Sequence, residues 1–422
     1  MMRRVCRLKT AALWASALCM ASCTGMSAGR KTPTLAPRGD AVPVLAERQG
    51  AAFLLSRQNE DGSWGTFATR REREVLVTGP ASFKAFSVAT SALCVKALWQ
   101  PALHAGKSDP AVEKSVRRGI AYLLAVQVAD RAHPEVFCEV WSHTYRLEVM
   151  ADVLGDERFK DLWPAARRVM QADADSLCRL QSAEGGFAYY DFKNTLRTPT
   201  GHYSTSFNTA CTIRALLRAQ AAGAAVPPGV MEQARRALLA MRTPEGTFMY
   251  GYGFLYHPNS GVNRPQGASG RTNLGLLALA DMEGYRPQGD GEPLFKIKTS
   301  GESAKTAALL QEDLRVNLRR FRDNYNFLLA AYARPVPHEA YYANAGYFVT
   351  FGFCYAAEAA ERLGGDDGRG FAAWESAEIA ALQSDLGAWM DFPLYGYGQY
   401  YSTAYALLAL QANARTLAKP NP

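Results

Sequence analysis

Histidine is scarce, with six in 422 residues, and the eight cysteines form no CxxC pair, so a zinc or dithiol centre of ordinary spacing is excluded. Charge of one sign is not concentrated either. The net charge of +8 falls to +4 once the four basic residues near the N-terminus are set aside. No basic cluster remains that would hold nucleic acid or draw the folded chain to anionic lipid. Past residue 21 no apolar run is long enough to span a bilayer. What the chain does have is alanine- and leucine-rich helical runs, separated by short turns rich in acid, glycine and aromatic residues.

Arg3, Arg4, Arg7 and Lys9 precede an apolar run from Ala11 to Ala21, which is the pattern of an export signal. The run ends in Met20-Ala21-Ser22-Cys23, which resembles the lipobox of bacterial lipoproteins, with methionine where that box usually has leucine. The resemblance implies a signal peptide over 1–22 and lipidation of Cys23. It also implies a mature chain in the cell envelope, facing the periplasm or exterior and tied to the membrane through that lipid only. Residues 23–45 are rich in Pro, Gly, Ser and Thr and are expected to form a flexible tether of about 25 Å, since such chains span about 5–6 Å times the square root of their length. Cys94, Cys138, Cys178, Cys211 and Cys354 remain. An odd number leaves at least one unpaired within the chain, and Cys94, Cys211 and Cys354 sit in runs that read as buried helix.

The rest repeats. After "SRQNEDGSWGTF" (56–67) come "LCRLQSAEGGF" (177–187), "LLAMRTPEGTF" (238–248) and "IAALQSDLGAW" (379–389), each with a helix end, an acid-glycine turn and an aromatic. Between them lie the runs 87–99, 142–155, 204–220, 270–284, 343–365 and 400–415, most with Ser, Thr or Asn at or near the start and several apolar on nearly all sides. Such residues suit N-caps, and such runs suit helices buried on more than one face. Companion helices such as 111–127 have a narrow apolar stripe and belong outside. The fifth outer helix, 303–333, is long enough to contain a break. The expectation is all-α: six helical hairpins in one domain over 46–416, as a closed (α/α)6 toroid or an open solenoid.

Arg48 to Gly65, "RQGAAFLLSRQNEDGSWG", is similar to the QW repeat of squalene and oxidosqualene cyclases, found in modified form in protein prenyltransferase β subunits. That resemblance implies closure of the six hairpins into a toroid. It implies structural roles for Gln58 and Trp64, the amide capping the start of a neighbouring helix. It does not bring the family's chemistry. In place of the cyclase DxDD there is only Asp173-Ala174-Asp175-Ser176 on an outer helix, no Asp-x-Cys exists for a prenyltransferase zinc, and the thioester string GCGEQ is absent. No metal or cofactor is expected.

Polar and aromatic residues gather at the starts of the inner helices and in the loops before them. Because inner helices of a toroid run the same way, these starts are expected to surround one mouth. His143, Tyr145, Tyr203, Tyr250, Tyr252, Arg271, Asn273, Tyr342, Asn344, Tyr397 and Tyr400 are the candidate ligand-binding residues. Aromatic faces interleaved with Asn, Arg and His suit a sugar, peptide or amphiphile. Three readings stay open. One is a toroid binding a cell-envelope glycan, peptide or isoprenoid. A second is a glycan hydrolase or lyase with Asp391 as acid or base, partnered by His143, His202 or His257. The third is a protein-interaction scaffold.

Overall fold

The computed structural model describes residues 41–66, 80–99, 109–128, 139–188, 204–252, 261–283, 300–334, 341–391 and 396–419. The signal segment, Cys23 and residues 24–40 of the tether lie outside the described residues, as do Cys138, His202, Tyr203 and His257. Outer helices α1 (Ala41–Ser56), α3 (Pro110–Ala125), α5 (Trp163–Leu180), α7 (Pro228–Ala240), α9 (Ser300–Asp323) with α10 (Tyr325–Tyr332), and α12 (Gly365–Ala381) alternate along the chain with inner helices. The inner helices are α2 (Pro80–Trp99), α4 (Glu139–Leu154), α6 (Ser206–Ala221), α8 (Pro265–Glu283), α11 (Thr350–Leu363) and α13 (Gly398–Ala418). Each inner helix packs on that of the next hairpin, and α13 packs on both α11 and α2. The six therefore close into a ring, an (α/α)6 toroid and not an open solenoid.

The burial pattern follows the sequence. Inner helix α8 buries every residue from Gly267 to Ala278, whereas outer helix α3 buries the stripe Ser115, Val116, Gly119, Ile120 and Leu123. The long fifth outer element breaks at Asn324, between α9 and α10. Helix α1 begins at Ala41, so the last five residues assigned to the tether are helical; Pro43 sits in the first turn, where its missing N–H leaves no bond unmade.

The acid-glycine turns tie the outer helices together. Trp64 is fully buried, and its indole N–H donates at 2.8 Å to the Leu54 carbonyl near the end of α1, which also accepts the Arg57 N–H at 3.2 Å. The Gln58 amide donates to the Gly62 carbonyl at 3.0 Å and to the Ser115 carbonyl of α3 at 2.9 Å, while the Ser115 hydroxyl donates back to Gln58 Oε1 at 2.9 Å. Gln181 repeats the pattern on Gly185 and on Val230 of α7, at 2.6 and 2.8 Å. Gln383 does so on Gly387 and on Ala46 of α1, both at 2.8 Å, with the Trp389 indole on the Ile379 carbonyl at 2.7 Å. In the turn 242–248 an arginine takes the glutamine's place, and Arg242 pairs with Asp313 of α9 at 2.7 Å.

Two expectations are corrected here. The glutamine amides donate to carbonyls inside the next outer helix and do not cap free N–H groups at its start; a helical carbonyl keeps a second lone pair for such a donor. Thr205 and Tyr397, at the cap positions of α6 and α13, likewise make no side-chain cap bond. Instead Ser91, Thr209 and Thr403, each inside an inner helix, accept the backbone N–H of Trp64, Phe187 and Trp389 at 2.9, 3.0 and 3.0 Å. Each turn is thus pinned to the inner ring through its aromatic residue.

Gly62, in the first of these turns, and Gly223, just past the end of α6, separate backbone strain from packing. Both have φ in the left-handed region, +91° and +99°, but a Cβ on Gly62 would lie 2.4 Å from the Arg118 carbonyl of α3, whereas one on Gly223 meets nothing within 4 Å. In urea unfolding, Gly223→Ala is expected to lose about 1–2 kcal/mol, the left-handed penalty alone, and Gly62→Ala on the order of 3 kcal/mol or more. Equal losses would mean that the turn is not pressed against α3.

Candidate functional site

At the end where the inner helices begin, aromatic rings fill one another's faces. Trp141 stacks on Tyr145 with centroids 5.3 Å apart, and Phe207 meets Tyr250 and Phe348 edge-on at 5.1 and 5.2 Å. Tyr397 stacks on Phe86 at 4.6 Å, and Tyr400 packs on Phe53 of α1 at 5.7 Å. Tyr342 lies under the Arg334 guanidinium, 4.5 Å from its ring centroid. The backbone N–H of Tyr252 donates to the Ser204 carbonyl, and Asn344 precedes a 3₁₀ turn over Ala345–Phe348 without a side-chain cap bond. Asp391 is buried and accepts the Tyr401 hydroxyl on both carboxylate oxygens, at 2.8 and 2.7 Å.

Of the polar candidates, Arg271 lies at this mouth, its guanidinium 5.9 and 5.4 Å from the Tyr250 and Phe348 ring centroids, whereas His143 and Asn273 do not. His143 turns outward, its Nδ1 2.6 Å from Asp173 of α5, which also takes a two-point contact from Arg146 at 2.7 and 2.6 Å. Asn273 also faces the outer layer and accepts from Asn317 of α9 at 2.9 Å. Arg271 is fully buried and donates to the Phe248, Gly267 and Val262 carbonyls at 3.0, 3.2 and 2.7 Å, holding the chain that leads into α8; burial pulls its pKa down to about 9. The reason is helical phase. A helix turns about 100° per residue, so residues two apart, such as His143 and Tyr145, face opposite layers when the helix is covered all round. A run buried on every side does not reveal which residues look inward.

Tyr145 does look inward, onto a cavity of about 370 Å³ at the other end of the ring, where the inner helices finish. Its wall is an ionic collar that clips each inner helix to a neighbour. Lys96 of α2 pairs with Glu148 of α4, and Asp152 of α4 with Arg218 of α6 at 3.5 Å. Arg214 of α6 pairs with Asp281 of α8 and Glu358 of α11, both at 2.8 Å. Asp281 also takes Arg362 of α11 at 2.6 Å, and Glu361 takes Arg415 of α13 at 2.8 Å. The circuit closes with the Gln411 amide of α13 donating to the Ala97 carbonyl of α2 at 2.9 Å. Beneath the collar lie Tyr145, Tyr355, Tyr405 and Cys354, with Leu93, Leu277 and Leu408 beside them.

The sequence held a signal for this site: a charged residue inside an otherwise apolar, fully buried helix must be paired or lie on a cavity. Lys96, Glu148, Arg214, Asp281 and Glu358 meet that description. Burial alone would raise the Glu148 carboxyl, but Lys96, Arg218 and Arg214 outweigh it and hold the pKa below the ordinary value. Glu375, fully buried between α12 and α13 and held by Asn413 at 2.9 Å, shows the opposite shift, with burial pushing its pKa well up.

These shifts give two opposite dependences on pH. The stabilisation from Glu148 is present above the unfolded glutamate value and is lost as pH falls through the lowered native one. Glu375 favours the native state below the unfolded value, and that contribution fades as pH rises. Urea unfolding from pH 3 to 9 is expected to show Glu148→Gln less stable than the parent at pH 7, converging at the acid end. Glu375→Gln is expected to match the parent near pH 4 and to gain on it as pH rises. The reverse ordering would contradict both assignments.

No family model and no curated protein matches this sequence. Similarity appears at the level of solved structures. A possible member of the GH105 family from Klebsiella pneumoniae superposes with a TM-score of 0.51 at 13% identity, over 89% of this chain and 93% of that one. A possible GH105 member from Salmonella enterica gives 0.48 at 12%, over 88% and 93%. A variant of a type II terpene cyclase from Scytonema, bound to its product merosterolic acid A, gives 0.48 at 11%, over 89% and 98%. At these identities the likeness concerns architecture alone: the chain is an α/α toroid, divergent in sequence from the toroids it resembles.

Proposed function

We propose that this chain is an exported, lipid-anchored toroid that binds a saccharide of the cell envelope in the cavity inside the ionic collar. The observation that carries the reading is the composition of that wall: five cations, four carboxylates and three phenols around about 370 Å³. Sugar hydroxyls both donate and accept, and a wall of alternating guanidinium and carboxylate groups offers both partners at short intervals. Near-balance of the two signs gives an anion little net pull. An isoprenoid chain would strip water from the charged wall and return no hydrogen bonds, which is costly. The volume is at the lower end of ligand-pocket sizes and suits a monosaccharide or disaccharide. Export and anchoring rest on the basic and apolar N-terminal segment and on Cys23. Binding is favoured over hydrolysis because, among the described residues, Asp391 is engaged by Tyr401 and His143 by Asp173, and the two do not converge.

The test is a calorimetric screen of the mature chain against monosaccharides, disaccharides, muropeptides and polyprenyl phosphate. A saccharide is expected to bind saturably, and Arg214→Gln to weaken it by about 1.5–3 kcal/mol, tenfold or more. Saturable binding of polyprenyl phosphate alone, or full affinity in Arg214→Gln, would overturn the assignment. Labelled palmitate is expected on the parent chain and not on Cys23→Ala.

A further inference from the structure

The floor of the cavity differs from its wall. Tyr405, Tyr145, Cys211 and Tyr355 form one chain of hydroxyl and thiol contacts. Tyr145 Oη meets Tyr405 Oη in a short bond, Cys211 Sγ lies 3.7 Å from Tyr145 Oη, and Tyr355 Oη lies 3.4 Å from Cys211 Sγ. All four side chains are buried, and both ends of the chain, Tyr405 and Tyr355, line the cavity. Hydrogen accounting follows. Four groups carry one hydrogen each, and three contacts use three, so one O–H is left to point into the cavity. Reversing the donor direction along the chain moves that spare hydrogen from Tyr355 to Tyr405, so the donor adapts to where an acceptor sits.

The floor is also uncharged. Burial raises the three phenols well above their ordinary value and Cys211 to about 12, so all stay protonated at neutral pH. Leu93 and Leu277 are buried beside them, and the Cys354 thiol completes an apolar patch. A charged ligand group would lose its hydration here against neutral groups, since the cation over the Tyr355 ring, Arg214 at 5.9 Å, is already paired with Asp281 and Glu358, whereas a neutral acceptor carrying a small apolar substituent meets both the donor and the patch.

Resting on the saccharide reading above, we infer that the cavity selects N-acetylated amino sugars, with the acetamido group inserted first: its carbonyl oxygen takes the spare phenol hydrogen and its methyl lies against Leu93, Leu277 and Cys354. The sugar hydroxyls then remain in the collar. Tyr145, Tyr355 and Tyr405 are the specificity-determining residues, and either end tyrosine alone keeps a spare donor at one end of the chain.

The experiment is calorimetry on the full mature chain with N-acetylglucosamine, glucosamine and glucose. N-acetylglucosamine is expected to bind roughly tenfold more tightly than glucose or glucosamine, the scale of one hydrogen bond plus one buried methyl. Tyr355→Phe and Tyr405→Phe singly are expected to keep most of that preference, and the triple variant Tyr145→Phe, Tyr355→Phe, Tyr405→Phe, which removes every phenol donor on the cavity, to abolish it. Arg214→Gln should weaken all three sugars alike. Equal binding of glucose and N-acetylglucosamine by the parent, or tighter binding of glucosamine, would overturn the acetamido assignment and leave the saccharide reading standing. Binding of none of them would overturn both. The parent-chain comparison decides the matter even where the triple variant does not fold.

Discussion

The hydrogen bond from the Gln383 amide to the Ala46 carbonyl joins the last outer helix to the first, across 337 residues of sequence. Without a link of this kind the six hairpins would form an open stack, and the inner helices would have no common axis on which a cavity could lie. A single such bond contributes only about 1 kcal/mol net. It works because it comes with others: the Trp389 indole donates to the Ile379 carbonyl at the end of α12, Thr403 holds the Trp389 N–H, and Gly387 lets the turn press on Gln49. The same set recurs around Trp64, so the ring is closed by repetition of a weak device.

A second circuit operates at the cavity. Cations stand in the last turns of α2, α6, α11 and α13, at Lys96, Arg218, Arg362 and Arg415, where the helix dipole favours positive charge. Carboxylates from neighbouring helices then pair with them. The two ends of the toroid therefore differ for a physical reason: helix C-termini attract cations, which bring carboxylates, whereas the opposite end is packed with aromatic rings.

Much of the architecture was legible because it depends on spacing. Acid-glycine turns at the ends of striped helices and runs buried on all sides mark the alternation of outer and inner elements, and the length of 303–333 anticipated the break at Asn324. Hydroxyls at helix starts were less legible, since a serine or threonine can cap its own helix or catch a neighbour's N–H, and Ser91, Thr209 and Thr403 do the second. The site was least legible. His143, Arg271 and Asn273 carry the residue types of a binding mouth, yet helical phase gives them to the space between layers or to backbone carbonyls. Of the candidates named from sequence, Tyr145 reaches the cavity, whose charged lining residues were visible only as unexplained charges in apolar helices.

Ring closure is the claim on which cavity, collar and ligand class all depend. Its most direct test is a spin-label distance between Gln49→Cys on α1 and Leu386→Cys on the last turn, in a background where the native cysteines are replaced. Closure predicts one narrow, short distance, that of adjacent helices about 10 Å apart plus the label arms. A broad distribution, or a single long distance expected of an open superhelix, would contradict it.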